Sequence, residues 1–319
     1  MLHFAKAGVA EMPTLSILIV NYNGLRFLAD CFASIKKHVS CSYEIIVVDN
    51  ASSDGSCQFI ADNYPEVRLV ASPINTGFTG GNNLAGEHAR GKYLLLLNND
   101  TVLLSDIALA VAEFDDPAVG ALGCHLVYGN GTLQHSFGFE HKPGRLVLFW
   151  LLGDIFRNFA PAKLAETDPA EYARTQANVA WVSGAFLLTR TELWQRLGGL
   201  DISYFMYVED VDYCKRVACA GYRVEYFPGA RIVHYGGAGR AWMGLRALQN
   251  TLRSYLIYTR KNYTVRDVLF LRIALSAVFV ARAMAYGAIA LVRRSSVHRE
   301  KSGGFLQAAA ELAGVRKPA

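Results

Sequence analysis

The amino-terminal third of the chain alternates between two hydrophobic rhythms. Residues 15–20 form a short β-branched and aliphatic run that ends in Asn21-Tyr22-Asn23-Gly24, which predicts a buried strand followed by a loop. The spacing then changes: Leu25, Leu28, Phe32, Ile35 and Val39 fall on one helical face. Residues 43–48 predict a second buried strand, closed by Asp49-Asn50-Ala51-Ser52-Ser53-Asp54-Gly55, with Ser53 or Asp54 placed to cap a helix reaching about Asn63. A third strand follows at 67–71, a glycine-led helix at 77–89, and a fourth strand at 93–97 that runs straight into Asn98-Asn99-Asp100. Apolar strands alternating with amphipathic helices predict an α/β fold with a mostly parallel sheet. Polar residues gather where each strand ends, the edge at which open α/β sheets bind ligands.

The middle third is less regular. Residues 146–152 are an apolar run, and 158–174 are polar and read as a loop or helix over the ligand edge. A strand is predicted at 179–189, a helix at 209–220 with Asp212 and Arg216 one turn apart, and short strands at 222–227 and 230–234. Beyond residue 240 the pattern turns helical. Residues 267–292 are mostly apolar but contain Arg272 and Arg282, which leave apolar stretches at 273–281 and 283–292. Each is shorter than the roughly 20 residues a bilayer crossing needs. A helix or helical hairpin lying in a membrane interface is the favoured expectation, and a helix packed on the rest of the protein is the alternative.

Charge sharpens that picture. Residues 1–239 hold 18 Lys+Arg and 24 Asp+Glu, a balance of −6, whereas 240–319 hold 14 and 3, a balance of +11. A basic tail interleaved with long apolar runs points to a membrane surface and not to nucleic acid. The expected division is a leader at 1–13, a catalytic domain at 14–240 whose nucleotide-binding half is 14–100 and whose acceptor half is 101–240, and a helical, basic and apolar extension at 241–319. The amino terminus lacks the pattern of a secretory signal. Six cysteines without a CxxC pair read as reduced thiols, which fits a cytoplasmic protein held on the inner face of the cell membrane.

The polar strand ends carry the chemistry that transfer of a sugar from a nucleotide diphosphate requires. The leaving diphosphate needs cationic charge, the acceptor hydroxyl needs a base, and the nucleoside needs a pocket. Asp49 is placed to accept from the base or ribose, and Tyr22 to stack on the base. Asp100 and His234 are candidate ligands of a divalent metal, Mg²⁺ or Mn²⁺. Glu209 and Asp210 are adjacent acids at a helix start and candidates for the base. Each has a plainer reading: Asp49 and Asp100 as strand-ending turn residues, Glu209 and Asp210 as acids answering a helix dipole, His234 as a core histidine. Trp181 and Tyr207 read either as a lining for the acceptor or as core.

Taken in order, Val20-Asn21-Tyr22-Asn23-Gly24, Val48-Asp49 through Gly55, Asn75-Thr76-Gly77-Phe78-Thr79-Gly80-Gly81-Asn82-Asn83, Leu97-Asn98-Asn99-Asp100, Gly198-Gly199-Leu200-Asp201 and Glu209-Asp210-Val211-Asp212 strongly resemble glycosyltransferase family 2, most of all its rhamnosyltransferase-type branch. The resemblance covers roughly residues 14–260. It implies a GT-A fold, a Rossmann-like three-layer sandwich, and inversion at the anomeric carbon. It also implies a nucleotide-sugar site at Val20, Tyr22, Asp49, Asn75, Gly77, Gly81, Asn82, Asn99 and Arg216, metal ligation by Asp100 and His234, and Asp210 as base beside Glu209. The donor it suggests is a dTDP- or UDP-sugar, dTDP-rhamnose first, and the acceptor a lipid-linked or cell-surface polysaccharide. The chain departs from the family pattern at Asn98, where the first carboxylate of the metal-binding DxD element is absent, and after His234, where Tyr235-Gly236-Gly237-Ala238-Gly239 lacks a serine or threonine.

Two other classes were weighed. A sugar-nucleotide pyrophosphorylase would place a glycine-rich, cationic loop directly after the first strand, and a dehydrogenase a GxGxxG; neither stands at residues 21–26. A catalytically silent, membrane-associated binding module of the same fold would have no use for Asp100, Asp210 and His234.

Overall fold

The computed structural model describes residues 12–152, 160–236 and 244–314. Residues 1–11 of the expected leader, the boundary expected at 240–241 and residues 158 and 159 lie outside the described residues.

The predicted alternation is present. Strand β1 (Leu15–Asn21) leads into α1 (Leu25–His38), β2 (Tyr43–Asn50), α2 (Ser56–Asn63), β3 (Arg68–Ser72), α3 (Gly77–Glu87) and β4 (Tyr93–Leu97). All residues of β4 and nearly all of β1 are buried, as expected of strands covered on both faces. The N-cap of α2 is Gly55, in a left-handed conformation, and neither Ser53 nor Asp54 takes that place; Asp54 stands one residue earlier and accepts from the Ser56 amide at 3.1 Å.

The segment after residue 100 is more elaborate than its sequence pattern. It contains β5 (Thr101–Leu103), α4 (Ala108–Ala112), β6 (Val119–Val127), β7 (Leu133–Gln134), β8 (Phe137–Gly138), α5 (Pro143–Leu152), β9 (Gln176–Ala177), β10 (Trp181–Val182), β11 (Phe186–Arg190), α6 (Thr191–Leu197), α7 (Glu209–Cys219) and β12 (Arg223–His234). The single strand expected at 179–189 is therefore two. The chain turns at Ser183 and Gly184, so β10 pairs with β8 while β11 enters the main sheet. Conversely, the two strands expected at 222–234 are one, interrupted by a register shift between Phe227 and Arg231 where Pro228 and Gly229 bulge out.

The main sheet runs β3-β2-β1-β4-β11-β6-β12-β5. Strands β1 to β4 are mutually parallel, β11 is antiparallel to both neighbours, and β12 is parallel to β6. The result is a mostly parallel mixed sheet between helical layers, a GT-A architecture. All six cysteines are free.

Three helices follow among the described residues: α8 (Leu245–Asn262), α9 (Val265–Arg293) and α10 (Ser296–Ala313). Thr264 and Asp267 form a capping box at the start of α9, which continues unbroken past Arg272 and Arg282. These helices do not form an isolated tail. Leu248, Leu252, Tyr255 and Tyr258 of α8 share a core with Leu146, Tyr204, Val208 and Val211.

Candidate active site

The ends of β1, β2 and β4 are wired together by side chains. Asn21 closes β1 and donates its amide to Asp49 Oδ1 at 2.8 Å, while its own carbonyl oxygen accepts from Asn99 at 2.7 Å. The other Asp49 oxygen accepts from the Ser52 amide at 2.9 Å. Asp49 is 2% exposed, so the candidate nucleoside ligand is also the buried tie between two strand ends. Burial and the Asp49 contact together push the Cys57 thiol up to about 11. Tyr22 is exposed.

The glycines act through close packing. A Cβ on Gly81 would stand 2.7 Å from Val20 Cγ1, so this glycine seats α3 on β1. Gly77 has φ +75°, and a Cβ there would meet the Phe205 carbonyl oxygen at 2.2 Å. That same carbonyl accepts from the Phe78 amide at 2.9 Å. Asn75 shapes the turn by accepting from the Gly77 amide at 2.9 Å, and Asn82 is buried with its amide on the Phe78 carbonyl.

Beside this region stands the candidate metal pair. His234 Nε2 lies 3.3 Å from Asp100 Oδ1 and 3.0 Å from the Asn98 amide nitrogen, and His234 Nδ1 lies 3.0 Å from Gln134 Oε1. With the amides so oriented, Nδ1 donates to Gln134 and Nε2 carries the lone pair. Nε2 thus accepts from the Asn98 amide and stands beside the Asp100 carboxylate, which places a nitrogen and an oxygen donor side by side. The outer hydrogen bond that fixes the ring is the usual support of a histidine ligand. Among the described residues no group of three or more His, Cys, Asp and Glu forms a metal cluster. The pair therefore fits a cation that also takes oxygens from its ligand and from water, as Mg²⁺ and Mn²⁺ do at diphosphates. Burial and the Asp100 charge push the neighbouring Cys31 thiol up to about 12.

The acid pair opens α7. Tyr207 and Val208 both have φ near +70°, an expensive conformation for a β-branched residue. It bends the chain so that Asp210 faces the Ser183–Gly184 turn. Asp210 accepts from the Gly184 amide at 2.9 Å and from the Val211 amide at 2.8 Å. Its carboxyl is raised by burial against the pull of those amides. Glu209 is only 5% exposed, and burial first, then the charge of Asp210, raises its carboxyl well above the glutamate range. The Ala185 carbonyl accepts from the Asn98 amide at 3.1 Å, so one short turn links the Asp210 side of the site to the Asp100 side.

Other candidates are engaged elsewhere. Arg216 binds Asp212 at 2.7 Å and the Leu197 carbonyl at 2.9 Å, which pins α7 to the turn after α6. Trp181 donates to the Leu164 carbonyl at 3.0 Å and packs against His141. His141 is buried among Trp181, Tyr255 and Tyr258, and that burial lowers it to about 4, so it stays neutral. The sequence pattern gives no individual role to Asn21, Gln134 or Gly184. Asn98 does carry a signal, standing where a carboxylate was expected.

Residues 16–168 match the model of glycosyl transferase family 2. The chain is 30% identical over 226 residues to an N-acetylglucosaminyl-diphospho-decaprenol L-rhamnosyltransferase of Mycobacterium tuberculosis, covering 66% of this chain and 71% of that protein. It is 27% identical over 245 residues to the rhamnosyltransferase WbbL of Escherichia coli, covering 74% and 89%. Among solved structures, the mannosyltransferase PcManGT from Pyrobaculum calidifontis, in complex with GDP-Man and Mn²⁺, superposes with a TM-score of 0.54 at 20% identity over 95% of this chain and 87% of that one. That likeness extends through the fold. With its strand-end acids, its glycine loop and its acid pair in family order, the chain belongs to glycosyltransferase family 2, in the rhamnosyltransferase-like branch.

Proposed function

We propose that this transferase is metal-dependent and inverting, and that it moves rhamnose from a dTDP- or UDP-linked donor to a hydroxyl of a lipid-linked or cell-surface polysaccharide acceptor. It would work in the cytoplasm, at the inner face of the membrane, and nucleic acid has no part in it. The observation that carries the reading is the Asp210 carboxylate, held by the Gly184 and Val211 amides with its proton affinity raised, one turn away from the Asp100–His234 pair.

In this reading the nucleoside lies over Asp49, Tyr22 and the backbone of Val20, with the diphosphate toward Asn99 and Asp100. Asp100 and His234 would hold a divalent cation, which would supply positive charge to the departing diphosphate. Asp210 takes the proton from the acceptor hydroxyl as that oxygen attacks the anomeric carbon from the face opposite the diphosphate. The carbon–phosphate oxygen bond breaks, its electrons stay on the diphosphate, and the configuration inverts. Raised proton affinity suits Asp210 to this role, because a base works best near the operating pH. Glu209, buried beside Asp210 with its carboxyl raised well above the glutamate range, favours its neutral form there. The rhamnosyl donor and lipid-linked acceptor are supported by the names of the two relatives, and Mn²⁺ by the mannosyltransferase neighbour.

A panel of nucleotide sugars with Mg²⁺ or Mn²⁺, scored for nucleoside diphosphate release with and without a membrane-lipid extract, tests the reading. Metal-dependent release from a single donor, stimulated by the extract, is expected. Binding of a donor without turnover under every condition would point to the catalytically silent alternative.

A further inference from the structure

Helix α9 is long and apolar enough by length and composition to cross a bilayer, yet its packing gives it another use. Leu271, Leu275, Val278, Phe279 and Ala283 are buried in a core built with α5, α8 and α10. Those neighbours carry charged residues, among them Arg260 and Lys261 on α8 and Arg299, Glu300 and Lys301 on α10, so α9 is not a helix surrounded by lipid.

The opposite face is different. Between positions 269 and 292, every residue of α9 that is exposed to solvent is apolar. Ile273 is 62% exposed, Met284 66% and Leu291 78%. The two arginines that break the apolar sequence are turned away from this face. Arg272 Nε donates to the Leu312 carbonyl at 2.7 Å and so caps the end of α10. Arg282 Nε donates to the Trp150 carbonyl at 2.8 Å and caps the end of α5. Helix α5 leaves Phe149 and Leu151 exposed as well. Exposed cations bound the apolar stripe at each end: Arg266 before it, Arg293 and Arg294 after it.

Resting on the membrane-surface reading above, we infer that α9 is an in-plane membrane helix whose 269–292 face enters the headgroup–acyl boundary of an anionic leaflet, with Arg272 and Arg282 withdrawn into protein and Arg266, Arg293 and Arg294 at the phosphates. A helix with one protein-packed face and one unbroken apolar face fits the surface of a bilayer and not its centre. The +11 balance of residues 240–319 is complementary to an anionic headgroup layer.

Co-sedimentation of the full chain with vesicles tests this, using phosphatidylcholine alone and phosphatidylcholine mixed with phosphatidylglycerol. Preferential binding to the mixed vesicles, weakened by salt, is expected. Phe270→Glu combined with Met284→Glu alters two exposed positions, so the fold should survive, as circular dichroism would check. Vesicle partition should fall at least about tenfold, because each side chain loses its apolar transfer and gains a charge. Arg293→Ala with Arg294→Ala should reduce the preference for phosphatidylglycerol. Unchanged partition of the folded double-glutamate variant overturns the inference. So does a dimeric parent whose folded variant is monomeric with vesicle binding intact, which would make a second copy the occupant of this face. Because partition is scored without turnover, a chain that binds vesicles but transfers no sugar would count against the proposed function and leave this inference standing.

Discussion

The Ser254 hydroxyl of α8 donates to the Met206 carbonyl at 3.1 Å. Met206 immediately precedes Tyr207 and Val208, whose left-handed backbone aims Glu209 and Asp210. Lys261, also on α8, binds Asp201 and lies 2.9 Å from Ser203. One helix of the carboxyl-terminal region thus braces the 201–208 segment, while the Phe205 carbonyl ties that segment to the Phe78 amide at the start of α3.

Ser254→Ala is expected to disturb turnover more than stability. The loss of one buried hydrogen bond costs about 1 kcal/mol in stability. Because misplacement of a reacting group by an ångström can cost about a hundredfold, kcat should fall on the order of tenfold with donor KM unchanged. Steady-state kinetics beside thermal unfolding would separate the two effects, and Ser254→Thr should restore most of the turnover. A parallel loss of kcat and melting temperature, with no rescue, would reduce Ser254 to ordinary core packing.

Glu209→Gln bears on pH. The folded state raises this carboxyl, so Glu209 favours folding while it is protonated. That contribution is complete below the ordinary glutamate value of 4.5 and declines as pH rises from there toward the raised value. Glutamine mimics the protonated form. At neutral pH the variant should be as stable as the parent or more so, and its urea midpoint should vary less with pH above 4.5. A variant markedly less stable at neutral pH would show that Glu209 is charged and paired in the fold.

Gln134 holds the His234 ring without touching the substrate in this account. Gln134→Leu should weaken Mn²⁺ binding about 10- to 100-fold, the usual cost of removing the outer partner of a histidine ligand. His234→Ala should weaken it further. Calorimetric titration of Mn²⁺ in the presence of nucleoside diphosphate would measure both; equal affinity in all three proteins would remove His234 from the metal site.

Gly77→Ala should be more damaging than Gly81→Ala. At Gly77 both the positive φ and the Phe205 backbone oxygen oppose a side chain, whereas at Gly81 only the Val20 side chain must move. Costs of about 2 kcal/mol or more at position 77 and about 1 kcal/mol at position 81 are expected from denaturant midpoints.

Much of this was legible in the chain because it is local. The apolar runs at 15–20, 43–48 and 93–97 are strands buried on both faces, and their polar ends mark the ligand edge. The family motifs supplied Asp49, Asp100 and Asp210 in order. What the pattern left unread depends on long-range contacts. Ser183–Gly184 splits a strand because its first part, β10, pairs with β8 while its second, β11, pairs with β4 and β6. Gln134 and Ser254 meet His234 and Met206 across large gaps in sequence, and nothing local distinguishes them from other polar residues. Arg272 and Arg282 read only as interruptions that rule out a bilayer crossing, because sequence cannot show the carbonyls they cap. The strain at Tyr207 and Val208 is likewise invisible to propensity, since no glycine announces it.

The central claim is that Asp210 is the base of a sugar transfer. Its most direct test is single-donor turnover by the parent and by Asp210→Asn, with donor affinity measured alongside. The account predicts a loss of about 10²- to 10⁴-fold in kcat with donor binding preserved, the usual worth of a positioned base. If folded Asp210→Asn turns over its donor within a few-fold of the parent, another group accepts the proton and the mechanism proposed here is wrong.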